Sequence, residues 1–93
     1  MVVSLAARTA QLDAEQRLLV KADRDIEEGW QRIRDQEDRV RGLMAGGHDT
    51  RQAERLVDLL RQTLTEWERH RVLIAERVTY LRHEVEAGES ESG

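Results

Sequence analysis

Aliphatic residues recur at every seventh position through the first half of the chain and mark one face of a predicted helix. The row consists of Leu5, Leu12, Leu19, Ile26, Ile33 and Val40. A weaker companion row consists of Gln16, Asp23, Trp30, Glu37 and Met44, with Ala22, Gly29 and Leu43 beside it. Because seven residues span close to two helical turns, such a repeat is typical of a helix that packs along a narrow seam.

The second half of the chain carries a more regular stripe, in which seam positions follow one another at steps of three and four residues. Its members are Ala53, Val57, Leu60, Leu64, Trp67, Arg71, Ile74, Val78, Leu81 and Val85. Only Arg71 among them is charged. The stripe predicts a second helix with a coiled-coil seam.

The one cluster of turn-forming residues lies between the two stripes. Gly46 or Gly47 can adopt the positive φ that is needed just past a helix end. We expect His48 to cap the last carbonyls of the first helix and Asp49 to cap the start of the second. A connection this short makes the two helices antiparallel neighbours.

These patterns predict an all-α fold, an antiparallel two-helix hairpin of the coiled-coil kind. The predicted segments are a frayed N-terminal extension over 1–8, the hairpin over 9–87 and a disordered tail over 88–93. Within the hairpin, helices over about 9–45 and 50–87 flank a turn at 46–49. The chain is therefore expected to be one small domain.

Aligning the two stripes around the turn gives a predicted register for the hairpin. It places Ile33 opposite Leu64 and Trp30 opposite Trp67. We expect both tryptophans in the core, in a layer that Gly29 opens because it has no side chain. An aromatic ligand platform is the alternative role for the two rings.

Arg71 interrupts the second stripe at the position predicted to face Ile26. A polar residue at one seam position often fixes helix register or oligomeric state, and Asp23 and Glu27, which flank Ile26, are placed to neutralise this charge. In the alternative arrangement, the Arg71 side chain lies along the seam and extends its guanidinium into water.

A second apolar strip beside the seam predicts a further partner. It consists of Leu56, Leu59, Leu73 and Tyr80, with Leu18 and Val20 on the first helix. An isolated hairpin buries little apolar surface, and this burial does not offset the entropy lost when the chain is ordered. A broad apolar stripe is typical of helices in bundles. We expect a homodimer that forms a four-helix bundle. Alternatively, the strip docks a helix of a different protein, as in a small regulator.

Composition and charge narrow the class of function. Charged residues make up 37% of the 93 residues, and 19 acids against 15 bases give a net charge of −4. This balance argues against a nucleic-acid partner, and the interleaved signs argue against a membrane partner. The chain has no cysteine for a disulfide or thiolate metal site, and no proline to interrupt a helix.

Candidate catalytic and metal-binding groups are few. Glu66 and His70 have a spacing that metal sites in helical bundles use, but the seam lacks the further carboxylates such sites need. Serine occurs only near the chain ends, and the glycine pair lacks the Lys-Ser/Thr of a phosphate loop. We expect no enzymatic activity, no cofactor and no metal. The apolar run Met1–Ala7 is too short for a signal-peptide core, so a cytoplasmic location is expected.

A group of residues around the turn carries a resemblance to a known set of proteins. They are Glu28-Gly29, Arg32-Ile33, Gln36, Gly47-His48-Asp49-Thr50, Ala53, Leu56 and Leu60. The segment resembles short uncharacterised alphaproteobacterial helical-hairpin proteins, and the Gly-His-Asp-Thr turn is its most specific part. The resemblance covers Asp25 to about Thr65 and does not include the two tryptophans. It implies a helical hairpin and no particular activity, cofactor or partner.

Overall fold

The computed structural model of the chain describes residues 4–92. These residues form two α-helices and no β-strand: α1 is Leu5–Ala45 and α2 is Arg51–Ser92. The helices run antiparallel on either side of a turn at residues 46–50. The prediction of an all-α helical hairpin is confirmed.

Both helices extend beyond their predicted bounds. α1 begins at Leu5, where the Oγ atom of Ser4 accepts a hydrogen bond from the N–H of Ala7 at 3.1 Å. This bond is an N-terminal cap, which satisfies a backbone donor that the helix itself leaves free. α2 continues to Ser92 through the region predicted as a disordered tail. Residues 1–3 and 93 of the two predicted end segments lie outside the described residues.

The helical C-terminal segment of α2 packs on the first residue of α1. A β-carbon at Gly88 would lie only 2.9 Å from Cδ1 of Leu5, so the glycine allows the leucine a close approach. The sequence predicts a disordered tail from Gly88 onwards because residues 88–93 include no apolar side chain. In the structure, the missing side chain of Gly88 is what admits Leu5.

A glycine cap ends α1. The N–H of Gly47 donates to the carbonyl of Met44 at 3.0 Å, and the N–H of His48 donates to the carbonyl of Leu43 at 2.9 Å. These two bonds form a Schellman motif, which places the residue after the cap in the left-handed conformation. Gly47 occupies that position with φ of 73°. His48 caps α1 through its backbone, and its ring lies over Gly46, where a β-carbon would come within 2.8 Å of Cδ2.

Asp49 caps the start of α2. Its Oδ1 atom accepts from the N–H of Arg51 at 3.0 Å, and its Oδ2 atom accepts from Nη2 of the same residue at 2.8 Å. The carbonyl of Thr50 accepts the first helical bond, from the N–H of Glu54 at 2.9 Å. The hydrogen bonds from the Arg51 side chain and backbone lower the pKa of the Asp49 carboxyl, because they favour its charged form.

Packing divides the hairpin into two units. The turn unit is Arg24–Arg69, and the end unit combines Met1–Asp23 with His70–Gly93. The buried residues of the turn unit are Gly29, Ile33, Ala53 and Leu64, and those of the end unit are Ile74, Val78, Leu81 and Val85. In the end unit all four buried residues belong to α2, and the heptad-row residues of α1 there are half-buried: Leu5, Leu12 and Leu19.

The apolar stripe predicted for α2 is the face that packs against α1. Nine of its ten members are buried or half-buried, and Trp67 is the exposed one. On α1, the predicted companion row is only partly packed: Gln16 and Glu37 are half-buried, whereas Asp23, Trp30 and Met44 are exposed. The three residues noted beside that row are buried or half-buried: Ala22, Gly29 and Leu43.

The predicted register is also wrong, by one helical turn. In the turn unit, a β-carbon at Gly29 would lie 3.0 Å from Cδ1 of Leu64. The prediction placed Leu64 opposite Ile33, four residues later on α1. Side chains of a coiled coil insert into the holes between facing residues. Leu64 therefore fills the gap left by Gly29 and does not stack on an equally large side chain.

The glycine cap gives a matched pair of substitutions. Gly47→Ala is expected to destabilise the fold by about 1–2 kcal/mol, the cost of a left-handed conformation for a residue with a β-carbon. Gly42→Ala, a control with no atom within 4 Å of the new β-carbon, should stabilise it by about 0.5–1 kcal/mol. Urea unfolding followed by circular dichroism measures both. Equal effects of the two changes would contradict the left-handed cap.

The close approach of Leu64 to Gly29 can be tested by a double-mutant cycle. Gly29→Leu should destabilise the fold by about 1–3 kcal/mol through overpacking, and Leu64→Ala by about 2–5 kcal/mol through cavity formation. Because the new leucine would occupy the space that Leu64 vacates, the double variant should cost less than the two single changes together. Strict additivity in urea unfolding would place the two residues in different layers.

Candidate interaction surface

Four apolar side chains of α2, here called the α2 strip, are exposed beside the seam. The exposed fractions are 43% for Leu56, 59% for Leu59, 63% for Leu73 and 59% for Tyr80. Leu59, Leu73 and Tyr80 are separated by multiples of seven residues, so they recur at one position of the heptad. The turn unit contains the first two strip residues and the end unit contains the last two.

In the end unit, ion pairs join α1 to α2 at several positions. Nη1 of Arg8 lies 3.4 Å from Oε2 of Glu84, and Nε of Arg77 lies 3.5 Å from Oε1 of Glu15. Arg77 falls between two strip residues along α2, and its pairing with α1 neutralises a charge at the strip. Partly exposed ion pairs of this kind contribute little to the free energy of folding. They therefore do not offset the cost of leaving the strip residues in water.

In the turn unit, Leu56 of the α2 strip lines a groove on the surface. The groove is lined by Gln36, Arg39, Leu43, Asp49, Gln52, Ala53 and Leu56. Nε2 of Gln36 donates to the carbonyl of Ala53 at 3.2 Å, and this bond ties the two helices together beneath the groove. The carboxylate of Glu37 pairs with Nη2 of Arg61 at 2.8 Å elsewhere in this unit. The groove is open to solvent.

The two tryptophans do not form the buried layer that was predicted. Trp30 is 42% exposed and Trp67 is 37% exposed. The ring of Trp67 does lie over Gly29, where a β-carbon would be 3.7 Å from its Cζ3 atom. Leu64, which approaches Gly29 more closely, occupies the deepest part of that layer, and both rings remain at the edge of the core. The buried core positions are those of Ile33 and Leu64.

Arg71 is paired within the chain. Its Nε atom donates to Oδ1 of Asp23, in the end unit. The hydrogen bond and the charge of this carboxylate raise the pKa of the Arg71 guanidinium above its ordinary value. Asp23 is therefore the neutralising partner, and a role for Arg71 in fixing register or oligomeric state stays a prediction.

Further large apolar side chains are exposed outside the α2 strip. They are Leu18, Val20, Met44 and Val72, together with the two tryptophans. Met44 was assigned to the packed row, but it is 61% exposed and its neighbour Leu43 is half-buried. Val72 follows no apolar repeat, so the sequence carried no signal for it.

The chemistry available in the described part of the chain is limited. Between residues 4 and 92, no three histidine, aspartate or glutamate side chains come together as a metal site. No buried side-chain nitrogen or oxygen atom lacks a hydrogen-bond partner over the same range. Neither described helix has an apolar stretch long enough to span a lipid bilayer. Exposed apolar surface is thus the most prominent feature of the structure.

Comparisons of the chain with protein-family profiles, with curated proteins and with solved structures give no match. The resemblance to alphaproteobacterial hairpin proteins with a Gly-His-Asp-Thr turn therefore stays a prediction. The exposed side chains of the hairpin are therefore the remaining guide to its function.

Proposed function

We propose that the chain is a non-enzymatic interaction or scaffold protein that associates with itself through apolar helix faces. The proposed assembly is a homodimer in which the α2 strip of one copy packs on the second copy to form a four-helix bundle. We assign it a cytoplasmic location and no nucleic-acid, membrane, metal or cofactor partner. The helical hairpin is the folded unit that presents the strip.

The exposed apolar surface is the observation that carries this proposal. Leu59, Leu73 and Tyr80 of the α2 strip are each at least 59% exposed. Exposed apolar side chains of this size would be stabilised by burial against a partner.

A second copy is the simplest partner for such a surface. Closed symmetric dimers are the commonest soluble oligomers, and a two-fold axis brings the same patch of both chains together. Two hairpins joined in this way give each helix a second packed face, as in a four-helix bundle. The half-buried aliphatic residues in the end unit of α1 are consistent with a hairpin that gains stability from further packing.

Two adjacent residues of α2 provide a matched test. Leu73→Glu places a charge in the α2 strip and should weaken self-association at least tenfold, because a carboxylate buried without a partner is strongly unfavourable. Val72→Glu, whose side chain is 52% exposed and lies about 100° further round the helix, should leave self-association unchanged. Sedimentation velocity over a range of chain concentrations measures both.

Three other results would contradict the proposal in different ways. A monomeric unsubstituted chain would exclude self-association and favour docking of a helix from a different protein. Loss of the dimer in Val72→Glu alone would place the interface on another face. Equal loss in both variants, with unchanged helicity, would show that the α2 strip has no special role.

A further inference from the structure

One face of the turn unit is organised around the ion pair between Glu37 of α1 and Arg61 of α2, whose charged atoms are 2.8 Å apart. Residues seven positions apart share a heptad position, so the residues seven before and seven after each partner lie on the same face. This face, here called the acidic face, consists of Trp30, Glu37, Met44, Glu54, Arg61 and Glu68. None of these residues belongs to the α2 strip.

A groove between the two helices forms part of the acidic face. It is lined by Glu37, Val40, Arg41, Glu54, Val57 and Asp58. The two valines are half-buried and the carboxylates of Glu54 and Asp58 belong to exposed residues. Beyond the groove, α1 exposes 42% of Trp30 and 61% of Met44. Apolar and acidic groups therefore lie side by side on this face.

Negative charge is in excess at the acidic face. Arg61 is neutralised by Glu37, and Arg41 is neutralised by Asp38. Arg34, which lies beside this face on α1, hydrogen-bonds an uncharged side chain. Across residues 4–92, no ion pair forms to three carboxylates of the face and its groove, which are those of Glu54, Asp58 and Glu68.

We propose that the acidic face docks a basic amphipathic helix of a different protein. A second copy that packed the same face here would bring the uncompensated carboxylates together, and like charges across a contact oppose association. Nucleic acid and anionic lipid are negatively charged and are repelled in the same way. A helix in the groove places its apolar stripe on the valines and Met44, and its lysines or arginines meet the carboxylates. The inference goes beyond the proposed function and does not depend on it, since the α2 strip takes no part.

A model peptide tests this chemistry. The probe is a helix of about 18 residues built only of leucine and lysine, with leucine on one face at helical spacing. The control peptide has glutamate in place of every lysine. Neither peptide contains tryptophan, so the fluorescence of Trp30 and Trp67 reports binding. The lysine peptide is expected to bind about tenfold or more tightly than the glutamate peptide, because only its charge complements the face.

Two double variants with the same change in net charge localise the bound peptide. Glu54→Gln with Glu68→Gln removes two carboxylates from the acidic face and should weaken binding about fivefold or more. Glu76→Gln with Glu86→Gln removes two exposed carboxylates of α2 in the end unit and should change binding less than about twofold, since charges that far away are screened. Circular dichroism checks that all variants keep their helicity.

A third variant tests the apolar part of the surface without changing its charge. Met44→Gln should weaken binding about threefold, because it removes exposed apolar contact area. Equal losses in the two double variants would reduce the binding to general charge attraction and overturn the inference. Equal binding of the two peptides, or no binding of the lysine peptide, would also overturn it.

Discussion

The insertion of α2 side chains into the narrow space along α1 is the interaction on which the rest of the structure depends. In the turn unit, Leu64 fills the space left by Gly29. A glycine inside a helix costs stability relative to alanine, and here the cost is offset by close packing. The Gly47 cap and the Asp49 cap reverse the chain with backbone hydrogen bonds satisfied, which allows this packing to form.

The seam occupies one face of each helix, and other apolar residues remain exposed to water. Stability and proposed function are therefore linked, since the residues that do not fit the seam are those available to a partner. Tyr80 and Leu73 are more than half exposed, although each lies within one turn of a buried α2 residue. The nearby charge of Arg77 is paired with Glu15 of α1, so a partner that covers the strip would not have to desolvate an isolated cation.

The strong parts of the fold were predictable because they follow from repeats and turn chemistry. The α2 stripe, the two helices and the glycine turn were all visible in the sequence. The helix register and the exposure of Trp30 and Trp67 were not. The sequence indicates that Gly29 leaves space between the helices, but it does not show that Leu64 approaches Gly29 more closely than the Trp67 ring does. The apolar strip was also predictable from the sequence, but the surface that covers it depends on a second molecule.

The dependence of thermal stability on chain concentration tests the central claim most directly. If the apolar surface of the hairpin is buried in a homodimer, folding is coupled to association and mass action makes the unfolding midpoint rise with concentration. Circular dichroism melts across a hundredfold range of concentration should therefore show a progressive increase in Tm. A Tm that stays constant over that range, with full helicity at the lowest concentration, would contradict self-association.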